Sequence, residues 1–155
     1  MPNANLLSLF TDDIGTAERL LKLLEEEFGA LETQDLPRLQ TLLDAKMPLL
    51  SQLEQHGRQR SAFLRQAGVS QDREGLAQIA ASQPEGAQWL EQGDVLAALL
   101  ERCRQANQRN GRVIRTNQAS TGRLLEIIRG QDTPSLYDRR GGATQGNRQR
   151  PLSQA

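Results

Sequence analysis

His56 and Cys103 are the only imidazole and the only thiol in the chain. One of each cannot complete the four-ligand cage of a structural zinc site, and a lone cysteine cannot close an intrachain disulfide. A cysteine nucleophile needs a neighbouring base to activate it. His56, in Gln55-His56-Gly57-Arg58, reads as a solvent-facing helix position, and Cys103 falls on an apolar seam, where a thiol serves as a small core residue. Gly141-Gly142-Ala143-Thr144 lacks the following Gly-Lys-Ser/Thr of a phosphate loop, and no strand precedes it. Glu25-Glu26-Glu27 reads as a solvated helix face and not as a catalytic carboxylate pair. These residue types point away from an enzyme, a metal centre or a cofactor site, and toward a protein that works by binding.

Charge is the other candidate chemistry. Nineteen Lys+Arg balance nineteen Asp+Glu, yet residues 1–54 carry a net −6, residues 55–101 a net −2 and residues 102–150 a net +8. An Arg-rich face from Arg102 to Arg129 could meet a nucleic acid, but such domains carry net basic charge and interleaved aromatics. No aromatic lies between Trp89 and Tyr137. The favoured expectation is internal: an acidic front half packed antiparallel beside a basic back half, with no nucleic-acid partner.

The elements that must position these residues are helical. Leu occurs 25 times among 155 residues, Val and Ile together 8 times, and aromatics make up 3%. That balance favours helix over strand and a thin seam between long helices over a wide core. No apolar run approaches the roughly 18 residues of a membrane span, and Met1-Pro2-Asn3-Ala4-Asn5 has neither the basic nor the apolar region of a secretory signal, so a cytoplasmic chain is expected. Leu7, Phe10, Ile14, Ala17, Leu21, Leu24, Phe28 and Leu31 recur at alternating spacings of three and four, which predicts a first helix over 3–31, a rod of roughly 43 Å. Asp35 as cap and Pro37 in the first turn restart the chain as a second helix over 36–67, antiparallel to the first, with Leu36, Leu39, Leu43, Met47, Leu50, Leu53, Phe63, Leu64 and Ala67 as its apolar positions. Pro48 should kink it, and Gly68 should end it.

Ser70 is the expected cap of a short helix carrying Leu76, Ile79 and Ala80, which Gln83-Pro84-Glu85-Gly86 interrupts. A last long helix starts near 85 or 94, with Trp89 close to its start and partly buried, and runs to about 129. Its seam is Leu96, Leu99, Cys103, Ala106, Asn110, Val113, Asn117, Ser120, Leu124 and Ile127. Asparagine on such a seam sets register or binds a partner, and both remain open for Asn110 and Asn117. The fold class is therefore all-α: an antiparallel bundle of three long helices with a short interrupted crossover. One domain over 1–130 precedes a mobile tail over 131–155, whose Pro, Gly and polar residues cannot offset the entropy of ordering.

Four stretches resemble the FlgN-type flagellar export chaperones, over nearly the whole chain. They are Leu31-Glu32-Thr33-Gln34-Asp35-Leu36, then Lys46-Met47-Pro48-Leu49-Leu50-Ser51-Gln52-Leu53 followed by Arg60. The third is Asn107-Gln108-Arg109-Asn110-Gly111-Arg112-Val113-Ile114, similar to an Asn-x-x-Asn-Gly pattern, and the last is Leu136-Tyr137-Asp138-Arg139-Arg140-Gly141, similar to a Tyr-x-x-x-Gly tail. Pro48 and the Gln83-Pro84 break depart from the pattern. The resemblance implies a cytoplasmic chaperone, without ATPase activity, that binds the C-terminal helical regions of the hook–filament junction proteins FlgK and FlgL. It implies delivery to the export gate protein FlhA, with Tyr137 as the docking residue.

An incomplete apolar seam can accept a client helix through anchors at i, i+3, i+4 and i+7. Val113, Ile114, Leu124, Leu125, Ile127 and Ile128 suit that role, or they pack against the two earlier helices. A client-free molecule should hide such a surface, by forming a homodimer or by folding back its tail. The competing reading is a coiled-coil adaptor or spacer without export function.

Overall fold

The computed structural model describes residues 2–130, apart from the side chains of residues 2–5, 121, 124, 129 and 130. Four helices account for most of them: α1 Pro2–Glu32, α2 Leu36–Gln66, α3 Arg73–Ala80 and α4 Gly86–Gly130. The described residues contain no strand, and the all-α class is as expected. The tail over 131–155, Tyr137 included, lies outside them.

Local chemistry sets the ends. At the α1–α2 turn Gln34 takes the left-handed conformation (φ 54°), Asp35 N–H donates to Ala30 O at 2.9 Å and Gln34 N–H to Leu31 O at 3.3 Å, so the last carbonyls of α1 are satisfied. Asp35 Oδ1 then accepts from Arg38 N–H at 3.1 Å and caps α2. Gly68, at φ 78°, closes α2 in the same way, with Val69 N–H donating to Leu64 O at 3.2 Å. Asp72, not Ser70, caps α3: its Oδ1 accepts from Gly75 N–H at 2.9 Å and from the Ser70 hydroxyl at 2.6 Å. Those two bonds, the Ser70 one foremost, hold the Asp72 carboxyl below its ordinary range. The Gln83-Pro84 break passes directly into α4 at Gly86, where a Cβ would lie 1.9 Å from Ala80 O, a distance only glycine permits.

The chain divides into two compact units, one up to Val113 and one from Ile114 onward, so the boundary lies within α4. In the first unit, α1 and α2 are antiparallel: Glu26 meets Arg38, Glu27 meets Lys46, Thr16 meets Gln52 and Asp13 meets Arg60. The first unit's part of α4 runs parallel to α1, because Cys103 lies on Ala17 O at 3.5 Å and Asn110 on Leu24 O at 2.9 Å. Among the described residues the acidic front half meets the basic stretch at one ion pair, Glu25 with Arg109 at 3.1 Å. There the two run parallel and not antiparallel, since the first and third helices of an up–down–up arrangement share a direction.

The core has two parts. Trp89, fully buried and not partly so, packs edge-on against Phe63 at 6.0 Å among Leu6, Phe10, Leu64 and Leu96. Leu20, Leu24, Cys103 and Ala106 form the second part.

Two stripes differ from expectation. Along α1 the buried positions are Leu6, Phe10, Asp13, Thr16, Ala17, Leu20, Leu24, Glu27, Ala30 and Leu31, while Leu7, Ile14, Leu21 and Phe28 are half-buried flanks. An apolar template skips Asp13 and Glu27. Glu27, read as solvated, accepts from Lys46 Nζ and Asn110 Nδ2, each at 2.7 Å. His56, read as solvent-facing, lies with Nδ1 2.7 Å from Oδ1 of the fully buried Asp13. Along α2 the buried residues are Leu42, Lys46 and Leu64, whereas Leu36 and Met47 are 72% and 55% exposed and Leu43 and Leu50 are also exposed. Adjacent pairs Leu42-Leu43 and Leu49-Leu50 place apolar groups on two faces of one helix, and the face carrying Lys46 is the one that α1 covers.

Two outcomes follow from this packing. Lys46→Met should cost about 3–5 kcal/mol in urea unfolding, because it strands the buried Glu27 carboxyl, and the double variant Glu27→Leu/Lys46→Met should cost less than the single one. Burial pushes the Cys103 thiol up from its ordinary value, with Arg102 opposing. Its thiolate fraction at neutral pH is therefore below that of a free cysteine, and disulfide-reagent labelling of the folded chain should run at least about tenfold slower than in urea.

Candidate interaction surface

The seam of α4 buries Leu96, Leu99, Cys103, Ala106 and Asn110, and from Gly111 to Ile128 no described side chain is buried. Asn110 is 1% exposed, and its amide donates to Leu24 O and to Glu27 Oε1. Asn107 is exposed, while Gly111, Val113 and Asn117 are half-buried. In the second unit Ile114 and Leu125 are exposed, and Ile127 and Ile128 are 61% and 60% exposed. Leu124 and Tyr137 lie outside what the structure describes of side chains.

At roughly 100° per residue, Ile114, Leu125 and Ile128 share an arc of roughly 60°, and Ile127 lies roughly 100° further round the helix. Leaving three such side chains in water on one helical face forfeits roughly 1.5–3 kcal/mol of burial apiece. Arg115 flanks this face, whereas Arg123 lies on the opposite side of the helix. Neither they nor Arg112 have an ion-pair partner among the described residues, unlike Arg109, which pairs with Glu25 and stacks over Phe28 at 4.1 Å. The segment is thus an apolar strip with one basic flank.

A second feature belongs wholly to the first unit. A cavity of about 360 Å³ opens between α1, α2, α3 and α4, with Phe10, Leu64 and Leu76 among its apolar lining residues. Arg73 bridges Asp94 in two hydrogen bonds, 2.7 and 3.0 Å, at this cavity and holds the Asp94 carboxyl below its ordinary range. Arg60 lines it as well but is committed to Asp13. Sequence reasoning missed this cavity, because its lining comes from positions on four elements with no common spacing.

Among the described residues no three His, Cys, Asp or Glu side chains gather so as to hold a metal ion. No described helix is long and apolar enough to cross a membrane.

Comparison with known proteins bears on what this surface serves. Residues 1–145 match the family model described as FlgN protein. No curated protein matches the sequence. A solved structure from Pseudomonas aeruginosa, provisionally described as a flagella synthesis protein FlgN, is 59% identical. That match has a TM-score of 0.68 and covers 79% of this chain and 94% of the other. The helical hairpin, the α4 seam that buries Asn110 and the match over residues 1–145 lead to one conclusion: the chain belongs to the FlgN family and has a flagellar role.

Proposed function

We propose that this protein is a cytoplasmic chaperone of flagellar type III export. It binds the C-terminal helical segments of the hook–filament junction proteins FlgK and FlgL, prevents their early assembly and carries them to FlhA. It does so by binding alone, without catalysis or cofactor. Residues 1–130 are the chaperone body and residues 131–155 its tail.

The observation that carries the reading is the exposed apolar strip Ile114, Leu125, Ile127 and Ile128, on a helix whose buried seam stops at Asn110. A client helix with anchors three and four residues apart would cover such a strip. Val113 and Leu124 complete the proposed client-binding set. Asn110 holds the register of α4 through Leu24 O and Glu27 Oε1, and Asn107, Gly111 and Asn117 complete the motif that carries the family resemblance. Tyr137 is the one aromatic of the tail, and a lone aromatic beside Leu136 can anchor a transient interface.

Leu125→Asp/Ile128→Asp should abolish co-purification with the C-terminal segments of FlgK and FlgL while circular dichroism keeps its helical signal. A collapse of helicity would mark these residues as structural instead. Tyr137→Ala should keep client binding but lose binding of the loaded complex to FlhA and secretion of the junction proteins. Gate binding equal to that of the parent would give the tail another role.

A further inference from the structure

The face of α2 beside the one that α1 covers is apolar for four turns. Leu36, Leu43, Met47 and Leu50 fall within roughly 60° of one another around the helix, and all four are exposed. Half-buried Leu39, Leu49 and Leu53 lie between this strip and the covered face or beyond it, so the strip is the exposed side of a wide apolar arc. The bases nearest to it are already engaged: Arg38 pairs with Glu26, and Lys46 with Glu27. What flanks the strip is Asp44, which among the described residues accepts the Gln40 amide at 3.0 Å and makes no ion pair. The strip is therefore apolar with an acidic edge.

Its complement is in the same sequence. Leu36 and Met47 are eleven residues apart, and so are Ile114 and Leu125. Laid antiparallel, the two strips bring Met47 opposite Ile114 and Leu36 opposite Leu125, about 16 Å apart along the pair. Asp44 follows Leu43 as Arg115 follows Ile114, and equivalent flanking positions face one another across antiparallel helices. Arg115 has no ion-pair partner among the described residues. Two α2 strips would make a poorer match: centred on Leu43 and Met47, an antiparallel pair would bring the two Asp44 carboxyls together.

We propose that two copies of this chain associate by laying the α2 strip of one, Leu36 to Leu50, against the 114–128 face of the other, with Asp44 beside Arg115. The pairing stands apart from the client reading. Only one consequence rests on that reading, namely that client and second copy compete for Ile114 and Leu125.

Sedimentation equilibrium of the full chain, without client, tests it. The mean mass should rise above 17.2 kDa with concentration, because a contact between two different faces leaves one of each free to recruit a further copy. Met47→Glu and Ile114→Glu, both at exposed positions, should each weaken the dimer about tenfold or more with helicity unchanged. Asp44→Arg should weaken it too, and adding Arg115→Asp should restore it. A chain that stays monomeric to about 200 µM overturns the proposal, as does a dimer that Ile114→Glu leaves intact. Failure of the double charge reversal to recover association overturns the assigned flank. No client enters these measurements, so their outcome is independent of whether FlgK and FlgL segments bind.

Discussion

One buried carboxyl holds the three long helices in register. Glu27 of α1 accepts from Lys46 of α2 and from Asn110 of α4, both at 2.7 Å, and all three residues are less than a tenth exposed. Leu-rich seams of near-uniform side chains discriminate poorly between one alignment and the next, because a shift of a heptad still sets leucine against leucine. A buried carboxyl with one ammonium and one amide in reach has a single satisfying alignment. Every other alignment leaves it stranded, at a cost of several kcal/mol. Asp13 repeats the device toward the other end of the hairpin, with Arg60 and His56 from α2, and Thr16 receives Gln52 nearby.

This division of labour explains what the sequence made legible. Helix ends are local: Asp35, Pro37, Gly68 and Gly86 act within a few residues of themselves, so α1, α2 and α4 begin and end close to where spacing and capping place them. Phe10, Ala17, Leu24 and Leu31 are fully buried, as their spacing indicates. The polar members of the same stripe were not legible. Whether Asp13 or Glu27 faces a core depends on partners 19 to 47 residues distant, and no local pattern encodes Arg60, Lys46 or His56 as those partners. The same gap misplaced the face of α2. Leu36, Leu43, Met47 and Leu50 look like a seam and are one, but α1 covers the neighbouring face that carries Lys46.

The candidate surface was legible for a different reason. Ile114, Leu125, Ile127 and Ile128 stand out because they follow a polar stretch of the α4 seam, and a run of isoleucine and leucine past that stretch has no evident internal counterpart. The cavity lined by Phe10, Leu64 and Leu76 gave no such signal, since it arises where four elements meet.

Polar clamps inside and apolar strips outside are linked. A bundle held only by leucine could rotate a helix by a fraction of a turn and recruit the next apolar face, hiding Leu43 and Met47 at the expense of Leu42. Rotation of α2 would pull Lys46 from Glu27 and Arg60 from Asp13 together, and the loss of two buried pairs outweighs the roughly 1.5–3 kcal/mol gained for each newly covered side chain. The α2 strip therefore stays at the surface even though burying it would be favourable in isolation. In a chain with few aromatics and a thin core, the buried charges do more than fix register: they keep an apolar face exposed that hydrophobic collapse alone would consume.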